Sequence, residues 1–273
     1  MDVAAQEQSV DPGSPRADAA RTTSDELSGT ARAYTTLKAA FDWIAALALL
    51  VVASPVMALL AALLMCTSRG PVIYTQMRLG RHGKPFRLYK LRTMADRCED
   101  ATGPVWSIRG DPRATTFGKW LRATHLDEVP QLWNVIRGEM SLIGPRPERP
   151  EIAEQIERVL PAFRHRLRVR PGMSGLAQVL LPPDADLHTV RFKLAHDLEY
   201  IRRIGPALDI RIALSTSLLV IGLGGKASRS LVARFGSPTP IEAPEAAPTL
   251  RLTAPMIAIP LPAPAAGEFS KAA

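Results

Sequence analysis

The sequence predicts an α-rich α+β protein: an apolar helix-break-helix in the membrane, followed by a compact domain of short helices, some interfacial, with a small β-hairpin or sheet. Three observations predict it. An uncharged apolar run at 44–66 is interrupted near its centre by Ser54-Pro55, a strand-like pair follows it, and amphipathic helical patterns succeed one another between 117 and 204. The expected organisation is an N-terminal extension at 1–33, a membrane helical hairpin at 34–68, a cytoplasmic domain at 69–225 and a tail at 226–273.

A straight helix over the apolar run would be roughly 35 Å long, enough to cross a hydrocarbon core of about 30 Å. Pro55 has no backbone donor and its ring crowds the carbonyl four residues earlier, so the helix should kink there. The Ser54 hydroxyl is placed to take up a carbonyl freed by the kink. Two geometries satisfy this pattern, a kinked span and a re-entrant hairpin. Arg32 and Lys38 precede the run, and Arg69, Arg78, Arg81, Lys84, Arg87, Lys90 and Arg92 follow it with no acidic residue among them. Basic flanks prefer the cytoplasmic side, which favours the hairpin.

The extensions differ in kind. Residues 1–33 hold almost no large apolar side chain and cannot offset chain entropy by burial; they also lack the apolar core of a signal peptide. The tail carries Pro238-Thr239-Pro240 and Pro260-Leu261-Pro262 and reads as extended chain. A net charge of +8, from 34 basic and 26 acidic residues, suits an anionic membrane surface or a phosphate-bearing substrate. Nucleic acid is not the expected partner, because aromatic residues are only 5% of the chain, too few for a base-stacking platform. Cys66 and Cys98 form no metal or disulfide pattern, which fits a reducing compartment.

After the apolar run, "VIYTQ" and "FRLYKLRTM" flank a turn at 81–85 and read as a β-hairpin with Phe86, Leu88, Lys90 and Arg92 on one strand face. Helical patterns occupy 117–122, 130–137, 150–160 and 188–204. A last apolar stretch at 210–223 carries Arg211 near its start and is short for a span, so it reads as a core or interfacial helix.

The chemistry concentrates in "THLDEVPQLWNVI". Pro130 belongs in the first turn of a helix, which places Asp127 and Glu128 at its N-terminus, where anions are favoured. An ordinary capping Asp followed by a solvated Glu would look the same; the neighbouring "GEMSLIGPRPERP" argues for more. There, Pro145 and Pro147 stiffen a loop presenting Arg146, whose guanidinium suits bidentate phosphate binding. Lys90 and Arg92 project from one strand face and are placed to meet a diphosphate, or anionic headgroups. The run Arg164, Arg166, Arg168, Arg170 reads as a lipid-facing basic stripe.

Together, "YKLRTM", "LRATHLDEVPQLWNVIRGEMSLIGPRPERPE" and "RPGMSGLAQV", behind an apolar run broken at Ser54-Pro55, resemble the bacterial sugar transferase family of monotopic polyprenyl-phosphate phosphoglycosyl transferases, over about 37–221. The resemblance implies transfer of a sugar 1-phosphate from a UDP-sugar to undecaprenyl phosphate, with release of UMP, at the cytoplasmic face of the bacterial inner membrane. It implies that Asp127 is a nucleophile forming a covalent phosphosugar intermediate, that Glu128 is its partner in holding Mg²⁺, that Arg146 grips phosphate, and that Ser54 and Pro55 break a re-entrant helix. Such an enzyme catalyses the first membrane step of exopolysaccharide or related glycan assembly, among membrane lipids and ahead of downstream glycosyltransferases. Two segments depart from the family pattern: Leu180-Leu181-Pro182-Pro183 after "GLAQV", and 204–209, where a Trp-rich stretch is usual. The alternative is a catalytically inactive scaffold of a polysaccharide assembly complex, which would be expected to have lost Asp127, Glu128 or Arg146; all three are present.

Overall fold

The computed structural model describes residues 29–95, 98, 110–181, 187–223, 226–233 and 240–241. Most of the expected extension and tail lies outside the described residues.

The first helix, α1 (Gly29–Thr67), runs without interruption through Pro55, so the expected helix-break-helix is here one helix containing a proline. The reason is local. Pro55 has no N–H for the carbonyl of Val51, four residues earlier, and the Ser54 hydroxyl donates to that same carbonyl at 2.8 Å. The serine supplies the hydrogen bond that the proline removes.

One seam of α1 faces the rest of the protein. Lys38, Asp42, Ala46, Leu60 and Leu64 are buried, with Leu50, Ala53 and Met57 half-buried between them, a spacing of three or four residues that keeps to one helix face. The remaining circumference exposes Leu37, Phe41, Ile44, Val51, Val52, Leu59 and Met65. Around the proline, Val51, Val52, Ser54, Pro55 and Val56 are all exposed. The two arms of α1 on either side of that turn therefore grip the domain, while the turn itself does not.

The β-hairpin expected from the sequence is present: β1 (Ile73–Leu79) and β2 (Pro85–Leu91) pair antiparallel, with Tyr74 opposite Lys90. His82 takes a left-handed φ of 58° in the connecting turn. Phe86 and Leu88 on the inward face of β2 join Ala46 of α1 in a core cluster with Leu132, Val135 and Met140. Next come α2 (Thr116–Ala123), capped by the Thr115 hydroxyl accepting from the Gly118 N–H at 2.9 Å, a 3₁₀ turn (Leu126–Glu128) and α3 (Gln131–Ile136). A second cluster joins Leu60 and Leu64 of α1 to Leu91 and Leu121, with Leu126 against it.

A parallel pair, β3 (Ser141–Ile143) with β4 (Gly172–Ser174), was not legible, because three residues are too short to show alternation. Between these strands lie α4 (Pro150–Val159) and a 3₁₀ segment (Pro161–Arg168). After them come α5 (Leu176–Leu180), α6 (Leu187–Arg202), α7 (Pro206–Val220) and α8 (Lys226–Val232). Helix α7 buries Leu208 and Ile212 and exposes Ile210 and Leu214. Helix α8 corrects the boundary expected at 226. Its Ser228 and Ser215 of α7 exchange hydroxyl-to-carbonyl hydrogen bonds at 2.8 and 3.1 Å, and Val232 is fully buried, so the folded part continues past 225.

Helix α2 sits against the end of β2 so closely that a Cβ on Gly118 would lie 1.9 Å from the Thr93 carbonyl oxygen. Gly118→Ala should therefore force the two apart and lower stability by about 1–3 kcal/mol, the usual cost of overpacking. The midpoint of chemical denaturation reads this directly, and an unchanged midpoint would contradict the close seating of α2.

Candidate active site

Asp127 and Glu128 lie on the 3₁₀ turn that joins α2 to α3, with His125 before it in a left-handed conformation at φ 57°. They precede α3 rather than cap it, since the helix starts at Gln131 after Pro130. This differs from the helix N-terminus expected from the sequence, and it shifts the electrostatics of the site from a helix end to side chains. Leu126 packs into the cluster beneath the second arm of α1 and Val129 into the one beneath the first. The acidic pair therefore sits where the two α1 clusters meet.

Glu128 is held by two cations. Lys90 Nζ on β2 lies 2.7 Å from Oε1; Arg146 reaches Oε1 at 2.5 Å and Oε2 at 3.3 Å. Burial alone would raise the carboxyl's pKa, but Arg146 and Lys90 overcome it and hold Glu128 well below the usual carboxylate range. In return Glu128 raises the pKa of Arg146, while burial lowers that of Lys90. Asp127 is only 6% exposed and makes no hydrogen bond or ion pair among the described residues. Burial pushes its pKa up; Lys90 opposes this and Glu128 adds to it. Two adjacent carboxyls thus differ in kind, one neutralised by partners and the other unclaimed.

The loop presenting Arg146 is fixed by its backbone. Four consecutive carbonyls each accept from a different place: Pro145 from the Gly172 N–H at 2.9 Å, Arg146 from the Arg166 guanidinium at 2.7 Å, Pro147 from Arg78 at 3.1 Å and Glu148 from the Leu79 N–H at 2.9 Å. Arg166 is itself buried, paired with Asp197 of α6 at 2.7 Å and seated over the Phe163 ring. Arg78 pairs with Glu148 at 3.1 Å. On the opposite side, buried Asn134 of α3 accepts from the Tyr89 N–H and donates to the Arg87 carbonyl, at 3.2 and 2.7 Å, which fixes the register of Lys90 against Glu128.

The structure thus brings Asp127, Glu128, Arg146 and Lys90 together. Arg92 goes elsewhere: it is buried and donates to the Ser68 carbonyl and hydroxyl at 2.9 and 2.7 Å, tying β2 to the end of α1. Ser54 and Pro55 lie exposed on α1. The basic run also divides, with Arg166 buried and Arg164 exposed. Asn134 and Asp197 escaped sequence reading, and Arg166, which reads there as a lipid-facing cation, is buried. Asn134 left a trace, as a polar residue within the apolar "LWNVI"; Asp197 in α6 left none.

Two tryptophans stand near the acidic pair. Trp120 on α2, stacked on Phe117 at 5.6 Å, and Trp133 on α3 are each 48% exposed. Among the described residues no three acidic, histidine or cysteine side chains cluster as a metal site.

The sequence profile of the bacterial sugar transferase family matches residues 33–222. The chain belongs to the bacterial sugar transferase family. Its relatives include the UDP-N-acetylgalactosamine-undecaprenyl-phosphate N-acetylgalactosaminephosphotransferase of Aeromonas hydrophila, 39% identical over 194 residues, 71% of this chain and 46% of that protein. A putative undecaprenyl-phosphate N-acetylgalactosaminyl 1-phosphate transferase of Bacillus subtilis is 44% identical over 155 residues, 55% of this chain and 86% of that one. The UDP-glucose:undecaprenyl-phosphate glucose-1-phosphate transferase of Caulobacter vibrioides is 39% identical over 181 residues, 66% of this chain and 67% of that one. The match thus spans less than half of the Aeromonas protein and most of the Bacillus one. All of the residues of the acidic site lie inside the family match.

Two outcomes follow from this geometry. A buried Asp with a raised pKa binds its proton more tightly folded than unfolded, so its ionised form costs stability above the folded pKa and costs nothing below the unfolded value of about 3.9. Asp127→Asn should therefore raise the melting temperature at neutral pH in chelator-treated protein, and the gain should vanish in acid. Asp197→Ala, which strands Arg166 without its partner, should cost about 3–5 kcal/mol in a denaturation experiment.

Proposed function

We propose that this protein transfers a sugar 1-phosphate from a UDP-sugar to undecaprenyl phosphate, releasing UMP, through a covalent intermediate on Asp127. The observation that carries this reading is the contrast within the acidic pair: Asp127 is buried, unpaired and next to a glutamate already neutralised by Lys90 and Arg146. An unclaimed carboxylate has its oxygens available to attack. Family membership and the relatives' names supply the reaction class. Those names include both N-acetylgalactosamine and glucose, so the donor class is a UDP-linked hexose or N-acetylhexosamine.

The roles follow from position. A carboxylate oxygen of Asp127 attacks the phosphorus attached to the sugar, in line with the bridging oxygen, and the phosphorus–oxygen bond to UMP breaks. Lys90 and Arg146 provide cationic donors beside that phosphorus, and the fixed carbonyls of 145–148 keep the Arg146 fork in place for it. In the second step an oxygen of the lipid phosphate attacks the same phosphorus. A lipid diphosphate sugar forms, and the Asp127 carboxylate is restored. Trp120 and Trp133, half-exposed on the helices flanking the turn, suit the membrane interface from which that acceptor arrives.

The donor set also accommodates Mg²⁺. Of the roughly four acceptor positions on Glu128, three are taken by Lys90 and Arg146, which leaves one, together with the whole of Asp127. Magnesium is held by one or two carboxylates plus substrate phosphates and water. Glu128 with Asp127 would hold it, and the ion would spread the charge of the diphosphate, which the balanced site charges leave uncompensated.

A one-sided placement of α1, with both ends of its apolar run on the same face of the bilayer, completes the reading. Asp42, before the apolar run, accepts from Ser141 at 2.6 Å, and Ser68, after it, accepts from Arg92. Both ends of the run therefore rest on one polar domain, which a bilayer-crossing helix would not permit unless the domain lay on both faces.

Membranes incubated with a panel of UDP-sugars and undecaprenyl phosphate should release UMP with one donor or a few. Asp127→Asn should abolish this release, and Glu128→Gln or EDTA should suppress it. Arg146→Lys should fall well below wild type, since a point charge does not replace a bidentate fork. Full turnover by Asp127→Asn would exclude the covalent route, and full turnover in EDTA would exclude the metal. With Cys66 and Cys98 replaced, a cysteine at Ala31 should be shielded from impermeant reagent added to the periplasmic side; labelling there would establish a span.

A further inference from the structure

A basic cavity shares no residue with the acidic site. About 150 Å³ in volume, it is lined by Lys38 and the Thr35 and Thr36 turn of α1, by Arg81 of the hairpin turn and by Arg168 and Arg170 before β4. Four cations and one carboxylate, Asp42, line it. Lys38 is committed, paired with Asp209 at 2.8 Å and Asp42 at 3.3 Å. Arg81 donates to the Arg168 carbonyl at 3.2 Å. Among the described residues neither Arg81 nor Arg170 has a carboxylate partner. Arg81 is exposed and Arg170 half-buried; a guanidinium partly withdrawn from water without a counter-charge is costly, and a second one lining the same cavity adds to its attraction for an anion.

Its position says which anion. The cavity is walled by the turns of α1 immediately before the uncharged run, and on the same turns Leu37 and Phe41 are exposed, followed by Trp43 and Ile44. With the apolar run in the bilayer, as the proposed function requires, the cavity lies at headgroup depth, and Leu37, Phe41 and Ile44 face the acyl chains beside it. We propose that this cavity is a binding site for the headgroup phosphate of an acidic phospholipid, held by Arg81 and Arg170 with its tails along the exposed face of α1. The site anchors the root of α1 and is separate from the place where the lipid acceptor reacts.

The test uses the full chain in detergent, titrated with phosphatidylglycerol, phosphatidylcholine, undecaprenyl phosphate or inorganic phosphate, with retained lipid counted by native mass spectrometry. Wild type should retain phosphatidylglycerol at least tenfold more tightly than phosphatidylcholine. The double variant Arg81→Ala, Arg170→Ala should lose that preference, while Arg81→Lys, Arg170→Lys should keep most of it, which separates lost charge from lost fold. Asp127→Asn should bind phosphatidylglycerol like wild type, so failure of the catalytic reading and failure of this one are distinguishable. Equal retention by the double alanine variant would overturn the site. Equal binding of phosphatidylcholine, competition by inorganic phosphate at equal concentration, or displacement of phosphatidylglycerol by equimolar undecaprenyl phosphate would each overturn its assignment to an acidic phospholipid.

Discussion

The double ion pair of Glu128 with Lys90 and Arg146 is the interaction on which the site depends. It joins three separate pieces of chain: strand β2, the turn between α2 and α3, and the proline-flanked loop after β3. Each piece is braced from behind by a bond of its own. Asn134 fixes the strand, Leu126 and Val129 seat the turn on α1, and four backbone carbonyls hold the loop. Buried ion pairs lose much of their Coulombic gain to desolvation, so this one is better understood as a device of geometry than of stability. It brings two cations beside Asp127, whose carboxylate has no direct partner among the described residues.

The long apolar helix α1 and the site are parts of one construction. The clusters beneath α1 are built from α2, α3 and β2, the elements that also carry the acidic turn and Lys90. Catalytic groups placed on packed elements are held more precisely than groups on free loops. The same arrangement keeps the acidic pair at a constant distance from the apolar face of α1. Under the proposed function that constraint is needed, because a nucleotide sugar and a lipid phosphate must then reach one carboxylate from different phases.

Much of this was legible in the sequence, and the misses have physical causes. The hairpin, α2, α3, α4, α6 and α7 follow from periodicity and turn residues, because each buries one face. Strands β3 and β4 are three residues long and pair Ser141 with Gly172 and Ile143 with Ser174, beside a close approach of the Gly144 and Gly172 backbones, which leaves no side-chain pattern. Asp127, Glu128, Arg146 and Lys90 stand out in the sequence because their residue types carry chemistry wherever they meet, and the structure brings them together. Arg92 was misplaced because alternation sets the face of a strand but not the neighbour beyond it, here Ser68. Arg166 was taken for a lipid-facing cation because Asp197, its partner, lies 31 residues later by number and no local pattern links them. At Pro55 the expected Ser54 hydrogen bond to a freed carbonyl is present, on Val51, and with it α1 stays helical through the proline.

The central claim is that Asp127, and not Glu128, forms the covalent bond to the sugar phosphate. The direct measurement is mass spectrometry of the protein after incubation with its UDP-sugar donor and Mg²⁺, without lipid acceptor, followed by mapping of the modified peptide. The account predicts a mass increase equal to one sugar phosphate, located on Asp127 and discharged when undecaprenyl phosphate is added. A modification located on Glu128, or rapid lipid-dependent UMP release with no modified protein in the absence of lipid, would contradict it.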